Sequence, residues 1–316
     1  MTSNVRYVAV VGSGVIGASW TLLFLNKGLR VVMSDPAKGA EEIFRKYIID
    51  EKTKEGRVSE LGSFWERFEF VDDITTKLPE VDFVQENGPE RLELKQSIIA
   101  SIDEHTRPDV IIASSSSGLP PSSFVTTCQK NPGRVMVGHP FNPPHIIPLV
   151  EVVPHPGCSE ASIVAALEFY RSLGKRPIRL HKEVPGFVAN RLQAAINNEA
   201  YSLITRGIVS ASDLDAAVSS GPGLRWALMG PIATNTLGGG GGADGFGQRL
   251  ERLGPSIRDW EQDILRNRFA WDETDLAKLR DEVNNSFGGT DWAEIVRERD
   301  EALLKLLEAK ESRKTL

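Results

Sequence analysis

Short apolar runs rich in β-branched residues alternate with helically spaced stretches through the first part of the chain, and then the runs stop. Tyr7-Val8-Ala9-Val10-Val11 is the first run and Arg30-Val31-Val32-Met33-Ser34 the second. Runs of this length with no polar alternation predict strands buried on both faces of a parallel sheet. Segments 68–73, 81–86, 110–113, 134–139, 149–153 and 177–180 continue the series. Between them, Ile43, Phe44, Tyr47 and Ile48 share one helical face within the charged stretch 38–61. Leu92, Leu94, Ile98 and Ile99 lie in a helix that begins near Pro89, and a helix over 159–173 is stopped by Gly174. This alternation predicts a doubly wound, largely parallel α/β sheet. After Pro185-Gly186 the sequence turns helical, at 194–206, at 212–218 and in an amphipathic tail over 294–310. The reading is therefore an α/β domain over 1–184 and a mostly helical domain over 185–316. The five glycines Gly238 to Gly242 have no strand before them and no Lys-Ser/Thr after them, so they read as a mobile loop and not as a phosphate cradle.

The first strand runs directly into Gly12-Ser13-Gly14-Val15-Ile16-Gly17, a G-x-G-x-x-G string placed between a strand and a helix. Gly12 serves the tight turn, Gly14 lets backbone approach a pyrophosphate, and Gly17 lets helix and strand pack closely. The helix N-terminus here, including Val15 and Ile16, would turn free N–H groups and a positive dipole end toward that anion. Asp35 ends the second strand about twenty residues beyond Gly12, where a ribose hydroxyl of NAD needs an acceptor. Its charge would repel the extra phosphate of NADP, although Lys38 stands nearby. The first domain is thus expected to be a Rossmann-type domain with NAD as cofactor.

Composition narrows the remaining classes. A formal net charge of −6 with no basic stripe argues against nucleic acid or an acidic membrane as partner. Cys128 and Cys158 form no disulfide framework and no zinc spacing, and no metal is expected. No apolar run approaches spanning length and a strand begins almost at once, so the expected location is cytoplasmic. Lys314-Thr315-Leu316 only loosely matches a peroxisomal address.

A nicotinamide cofactor implies hydride transfer, and oxidising an alcohol also needs a base. Of His105, His139, His145, His155 and His181, only His139 ends a predicted strand at the carboxyl edge of the sheet. Glu151, in the next strand, can hold one ring nitrogen while the other accepts a proton. Spacing alone leaves open a purely structural histidine.

Gly138-His139-Pro140-Phe141-Asn142-Pro143-Pro144, Leu149-Val150-Glu151-Val152 and Pro185-Gly186-Phe187-Val188-Ala189-Asn190-Arg191-Leu192 resemble the signature blocks of the L-3-hydroxyacyl-CoA dehydrogenase family. The resemblance covers nearly the whole chain. Gly223-Leu224-Arg225-Trp226-Ala227-Leu228-Met229-Gly230-Pro231 and the stretch 150–156 look closer to the lambda-crystallin (L-gulonate 3-dehydrogenase) and L-carnitine dehydrogenase branches. The resemblance implies that His139 is the acid/base, Glu151 its partner, Ser117 a donor to the substrate oxygen and Asn190 a positioner. It also implies that Glu90 and Lys95 lie near the nicotinamide ribose, and that the helical domain binds substrate and forms a homodimer. Without it, Glu90 and Lys95 read as a solvated helix face, and Ser117 as one polar residue in a turn. Arg225 could grip a free carboxylate in two parallel hydrogen bonds, which a thioester does not offer. The expectation is an NAD-dependent dehydrogenase of a small free 3-hydroxy acid such as L-gulonate. A 3-hydroxyacyl-CoA or L-carnitine dehydrogenase is the alternative, and a non-catalytic NAD-binding crystallin-like protein is the alternative of another class.

Overall fold

A computed structural model describes residues 5–313, so the Lys314-Thr315-Leu316 tail lies outside the described residues. Strand β1 (Tyr7–Val11) leads into helix α1 (Val15–Asn26) and strand β2 (Arg30–Ser34). Helices α2 (Ala40–Lys54) and α3 (Leu61–Trp65) precede β3 (Phe68–Phe70) and β4 (Phe83–Glu86). Then follow α4 (Leu92–His105), β5 (Ile111–Ser114), α5 (Pro121–Phe124), β6 (Val135–Pro140), β7 (Leu149–Pro154), α6 (Glu160–Ser172) and β8 (Arg176–Arg179). The rest is helical: α7 (Ala189–Thr205), α8 (Ala211–Ser220), α9 (Pro222–Leu228), α10 (Pro231–Gly238), α11 (Gly245–Arg266), α12 (Glu273–Phe287) and α13 (Trp292–Glu311). Contacts divide the chain into two compact units, between Arg191 and Leu192.

In the first unit the strands form one sheet in the order β3-β2-β1-β4-β5-β6-β7-β8, the Rossmann-type order extended at one edge. Both faces are covered, as the unalternating runs require. Val8 and Val10 pack on one side with Trp20, Phe24, Phe83 and Phe169, while Ala9 packs on the other with Val32, Val84 and Ile112. Each fully buried Val, Leu or Phe is worth about 1.5–3 kcal/mol.

One feature departs from the largely parallel reading. β7 runs antiparallel to β6, and β8 is parallel to β7, so the last two strands are reversed. The cause is chain length, because a parallel crossover needs a dozen or more residues and the 141–148 connection is shorter. The reversal places His139 directly opposite Glu151.

Two helices of this unit end in the same way. Gly28 (φ +80°) and Gly174 (φ +83°) take the left-handed conformation, and the residue after each donates back to a carbonyl of the last turn, Leu29 to Phe24 and Lys175 to Tyr170. This is the Schellman arrangement, which satisfies orphan carbonyls and turns the chain sharply. The second unit uses it too. Gly240 donates to Leu237 and Gly241 to Thr236, so the five-glycine run is a helix-ending turn between α10 and α11. Glycine is required there because Gly240, Gly241 and Gly242 all have positive φ. A Cβ on Gly239 would overlap the Gly245 carbonyl. Among the described residues no helix is long and apolar enough to cross a membrane.

Candidate active site

The glycine turn satisfies the geometric demands of a dinucleotide. Gly12 has φ +96°, and a Cβ there would lie 2.8 Å from the Asn87 carbonyl oxygen. A Cβ on Gly17 would overlap the Gly12 carbonyl oxygen, so turn and helix can approach only with no side chain at position 17. Gly14, the N-cap of α1, has open space beside it and no capping side chain. The first-turn N–H groups at Val15 and Ile16 therefore stay available to an anion. Asp35 follows β2 and accepts from the Ser13 amide (2.7 Å), the Ser13 hydroxyl (2.9 Å) and the Ala37 amide (2.9 Å). Burial raises its pKa, yet these hydrogen bonds outweigh burial and hold the carboxyl below its ordinary value. An ionised acceptor thus stands beside the turn, as a ribose hydroxyl needs. These residues fit NAD.

At the carboxyl end of β6 a second cluster forms. His139 Nδ1 lies 2.8 Å from Glu151 Oε2, and both side chains are buried. A carboxylate can only accept, so Nδ1 carries a proton, and in the neutral ring Nε2 is the acceptor. Glu151 Oε1 accepts from the amides of Val188 (2.9 Å) and Ala189 (3.1 Å), at the start of α7. Burial alone would raise the Glu151 pKa. The bonds from His139, Val188 and Ala189 reverse that and leave it lowered. Phe141 and Phe187 flank the imidazole at 5.4 and 5.5 Å between ring centres. Phe187 holds a left-handed backbone (φ 53°), a strained conformation for a bulky residue that brings its ring and the following two amides to the pair.

Asn190 Nδ2 donates to the Ser117 carbonyl (2.8 Å), so the serine turn, the start of α7 and the His–Glu pair form one connected set. Ser117 is exposed, and among the described residues nothing bonds its hydroxyl. The turn is shaped by Glu90, whose Oε1 accepts from the Ser116 hydroxyl (2.6 Å) and from the amides of Ser117, Gly118 and Leu119 at 3.0–3.2 Å. Neither spacing nor composition reveals that clamp. Lys95 is buried, with Nζ 2.9 Å from both Glu86 oxygens and 3.2 Å from the Gly88 carbonyl, so its N–H groups are already occupied. A signal for this exists: positions 95, 99 and 102 share a helical stripe, and Ile99 and Ile102 are buried. Arg225 lies exposed on α9, in the second unit.

Sequence reading missed a buried network beneath the site. Tyr170 OH donates to Gln85 Oε1 (2.8 Å), Gln85 Nε2 donates to Ser115 Oγ (2.8 Å), and Ser115 Oγ donates to Asn87 Oδ1 (2.7 Å). A Cβ on Gly138 would overlap the Tyr170 hydroxyl, so glycine is needed immediately before the histidine.

Models of the 3-hydroxyacyl-CoA dehydrogenase NAD-binding and C-terminal domains match residues 7–184 and 186–277. The chain belongs to the 3-hydroxyacyl-CoA dehydrogenase family. It is 60% identical over 311 residues to a 3-hydroxyacyl-CoA dehydrogenase of Gibberella moniliformis, covering 98% of this chain and 97% of the relative. It is 40% identical to an L-carnitine dehydrogenase of Streptomyces coelicolor, with 98% and 96% covered. Among solved structures, an NAD+-dependent dismutase, FHMPC 5-dehydrogenase, is 27% identical at TM-score 0.76, with 98% of this chain and all of that one covered. A 3-hydroxyacyl-CoA dehydrogenase of Archaeoglobus fulgidus is 26% identical at TM-score 0.63, with 73% and 75% covered. The protein is accordingly an NAD-dependent oxidoreductase acting on a CH–OH group.

Proposed function

We propose that this family member oxidises the C3 hydroxyl of an L-3-hydroxyacyl-CoA, with His139 and Glu151 as its acid/base pair. The observation that carries the chemistry is the direct cross-strand pairing of His139 with an ionised Glu151. The acyl-CoA substrate rests on the 60% identical full-length relative, which favours a thioester over the free L-gulonate-type acid expected from sequence. In the proposed reaction His139 Nε2 takes the hydroxyl proton, and Glu151 stabilises the imidazolium through Nδ1–H. The Ser117 hydroxyl donates to the substrate oxygen, and Asn190 fixes the serine turn through its Ser117 carbonyl bond. NAD, when bound, accepts the hydride from C3. Gly12, Gly14, Val15, Ile16 and Gly17 would hold its pyrophosphate and Asp35 its ribose. Glu90, through the serine turn it shapes, and Lys95, through Glu86 and Gly88, would support the nicotinamide ribose.

A second reading, a small charged 3-hydroxy acid such as L-carnitine, is favoured by the 40% identical relative and by the exposed guanidinium of Arg225. The test is NADH formation from 3-hydroxybutyryl-CoA, L-carnitine, 3-hydroxybutyrate and L-gulonate at equal concentrations. A kcat/KM highest for the thioester supports the first reading; one highest for a free acid removes it. Arg225→Ala sharpens the choice. It leaves KM for a thioester within about twofold, and raises KM for a free acid about tenfold or more if the arginine grips its carboxylate.

The same proposal includes a homodimer formed through the second unit. A groove of about 650 Å³ there, lined by Ile196, Leu214, Leu276, Val283, Phe287 and Trp292, leaves apolar surface for a second copy to cover. Light scattering on the wild type and on Val283→Asp tests this. The wild type is expected at twice the chain mass and the variant shifted toward monomer.

A further inference from the structure

We propose that Lys175 is a positioning residue of the active site, which holds the 141–148 connection between the His139 and Glu151 strands from beneath. The inference rests on the reading of those two residues as the acid/base pair. Lys175 follows Gly174, whose left-handed turn ends α6 directly before β8. The side chain is buried, and its Nζ donates to the carbonyl oxygens of Pro144 and Ile147 (2.8 Å to the latter). Its backbone neighbour Arg176 donates to the Pro148 carbonyl at 2.8 Å, so three carbonyls of the connection are held from this one corner. Pro143, Pro144 and Pro148 have no N–H, and the Pro144 and Ile147 carbonyls that Lys175 takes lie outside the β6–β7 ladder. A carbonyl withdrawn from water without a donor is destabilising, so the ammonium is well matched to this segment.

The opposite side of the connection is tied to the cofactor-binding helix. Ser19, buried in α1, accepts from the His145 amide (2.9 Å), and its Oγ lies 2.7 Å from His145 Nδ1. Tyr47 and Glu51 of α2 approach the same ring at 3.5 and 3.9 Å. Trp20, next to Ser19, lies under the Lys175 ammonium at 5.5 Å from the ring centre. The two tethers therefore meet on adjacent residues of α1, one turn past the glycines that take the pyrophosphate. Burial, then the nearby Lys27 charge, lower the Lys175 pKa to about 7. Even the neutral amine keeps two N–H donors for its two carbonyls, so the tether survives either protonation state.

The connection governs where Phe141 stands against the imidazole and how β6 and β7 enter their pairing. Loosening it displaces the His139 ring relative to a bound alcohol without touching the dinucleotide turn. The test is Lys175→Met, which keeps the length and removes the donors. The expected result is a folded protein whose kcat falls about 10- to 100-fold, as a displacement on the order of 1 Å would cause. KM for NAD should stay within about twofold, and the acid limb of the kcat/KM profile should move. A melting temperature that drops while kcat and the pH profile stay at wild-type values overturns the proposal, because that pattern marks a purely structural lysine. Should Lys175→Met fail to fold, Lys175→Gln, a shorter side chain that keeps N–H donors but reaches less far, carries the same expectation and the same overturning result. Loss of activity in the wild type toward every 3-hydroxy substrate would instead count against the proposed reaction, so the two failures are distinguishable.

Discussion

Trp20, Phe24, Phe83 and Phe169 of the first unit are wholly buried and lie ring against ring, whereas Trp226, Trp260, Trp271 and Trp292 of the second are each at least 40% exposed. The first unit closes its own core on both faces of a sheet, and its polar site residues are positioned by that core. Gly138 abuts Tyr170, Glu151 is anchored by the start of α7, and the serine turn is clamped by Glu90. In the second unit the helices are amphipathic but their apolar stripes remain open, so its residues are held less by packing within one chain. Chemistry that demands tenths of an ångström belongs in the first kind of environment. Surface that must meet a partner, as in the proposed homodimer, belongs in the second.

Gly17 is the position where the rigid first unit is most easily disrupted. A valine there drives its side chain into the Gly12 carbonyl, so NAD binding followed by nicotinamide fluorescence should fall below detection; retained affinity would mean that close backbone packing does not shape the cofactor turn. His139→Gln keeps a donor for Glu151 but loses the proton acceptor. Its kcat should drop about 10²–10⁴-fold with NAD affinity preserved, measured by steady-state NADH formation. Lys95→Met leaves the buried Glu86 without its countercharge, with only the Gly88 amide and the Ser114 hydroxyl still donating to it. Urea unfolding should show a loss of about 3–5 kcal/mol, and a loss under about 1 kcal/mol would show that this pair is not part of the rigid half. The smallest effect is pH-linked. Glu151 has a folded pKa below its ordinary 4.5, so the stability it contributes is fully present above that value and disappears as pH falls through the folded pKa. Thermal melts from pH 6 to about pH 3 should therefore show a steeper decline for wild type than for Glu151→Gln.

Much of the first unit was legible because its signals are local. A strand, a glycine turn, a helix and a second strand ending in Asp35 are contiguous, and each piece constrains the next. His139 and Glu151 could be paired on paper because both sit on neighbouring strands. What stayed hidden depends on groups brought together from afar. Glu90 reaches a turn 26 to 29 residues on, and Tyr170 reaches Gln85 across 85 residues. Lys95 carried a readable clue in its place on the apolar stripe of α4, but a charge on such a stripe does not name its partner. The reversal at β7 was readable from the short 141–148 connection. The glycine run Gly238 to Gly242 read as slack chain because glycine composition alone does not distinguish a flexible segment from a turn that demands positive φ.

The hairpin of β6 and β7 also sets the relative entropic cost of two chain closures. His139 and Glu151 stand 12 residues apart, while the amides that secure the Glu151 charge lie 37 and 38 residues beyond it. Closing the longer loop costs about 1 kcal/mol more chain entropy than closing the shorter. The imidazole and carboxylate are thus brought face to face by a cheaper closure than the one that fastens the carboxylate in its ionised form.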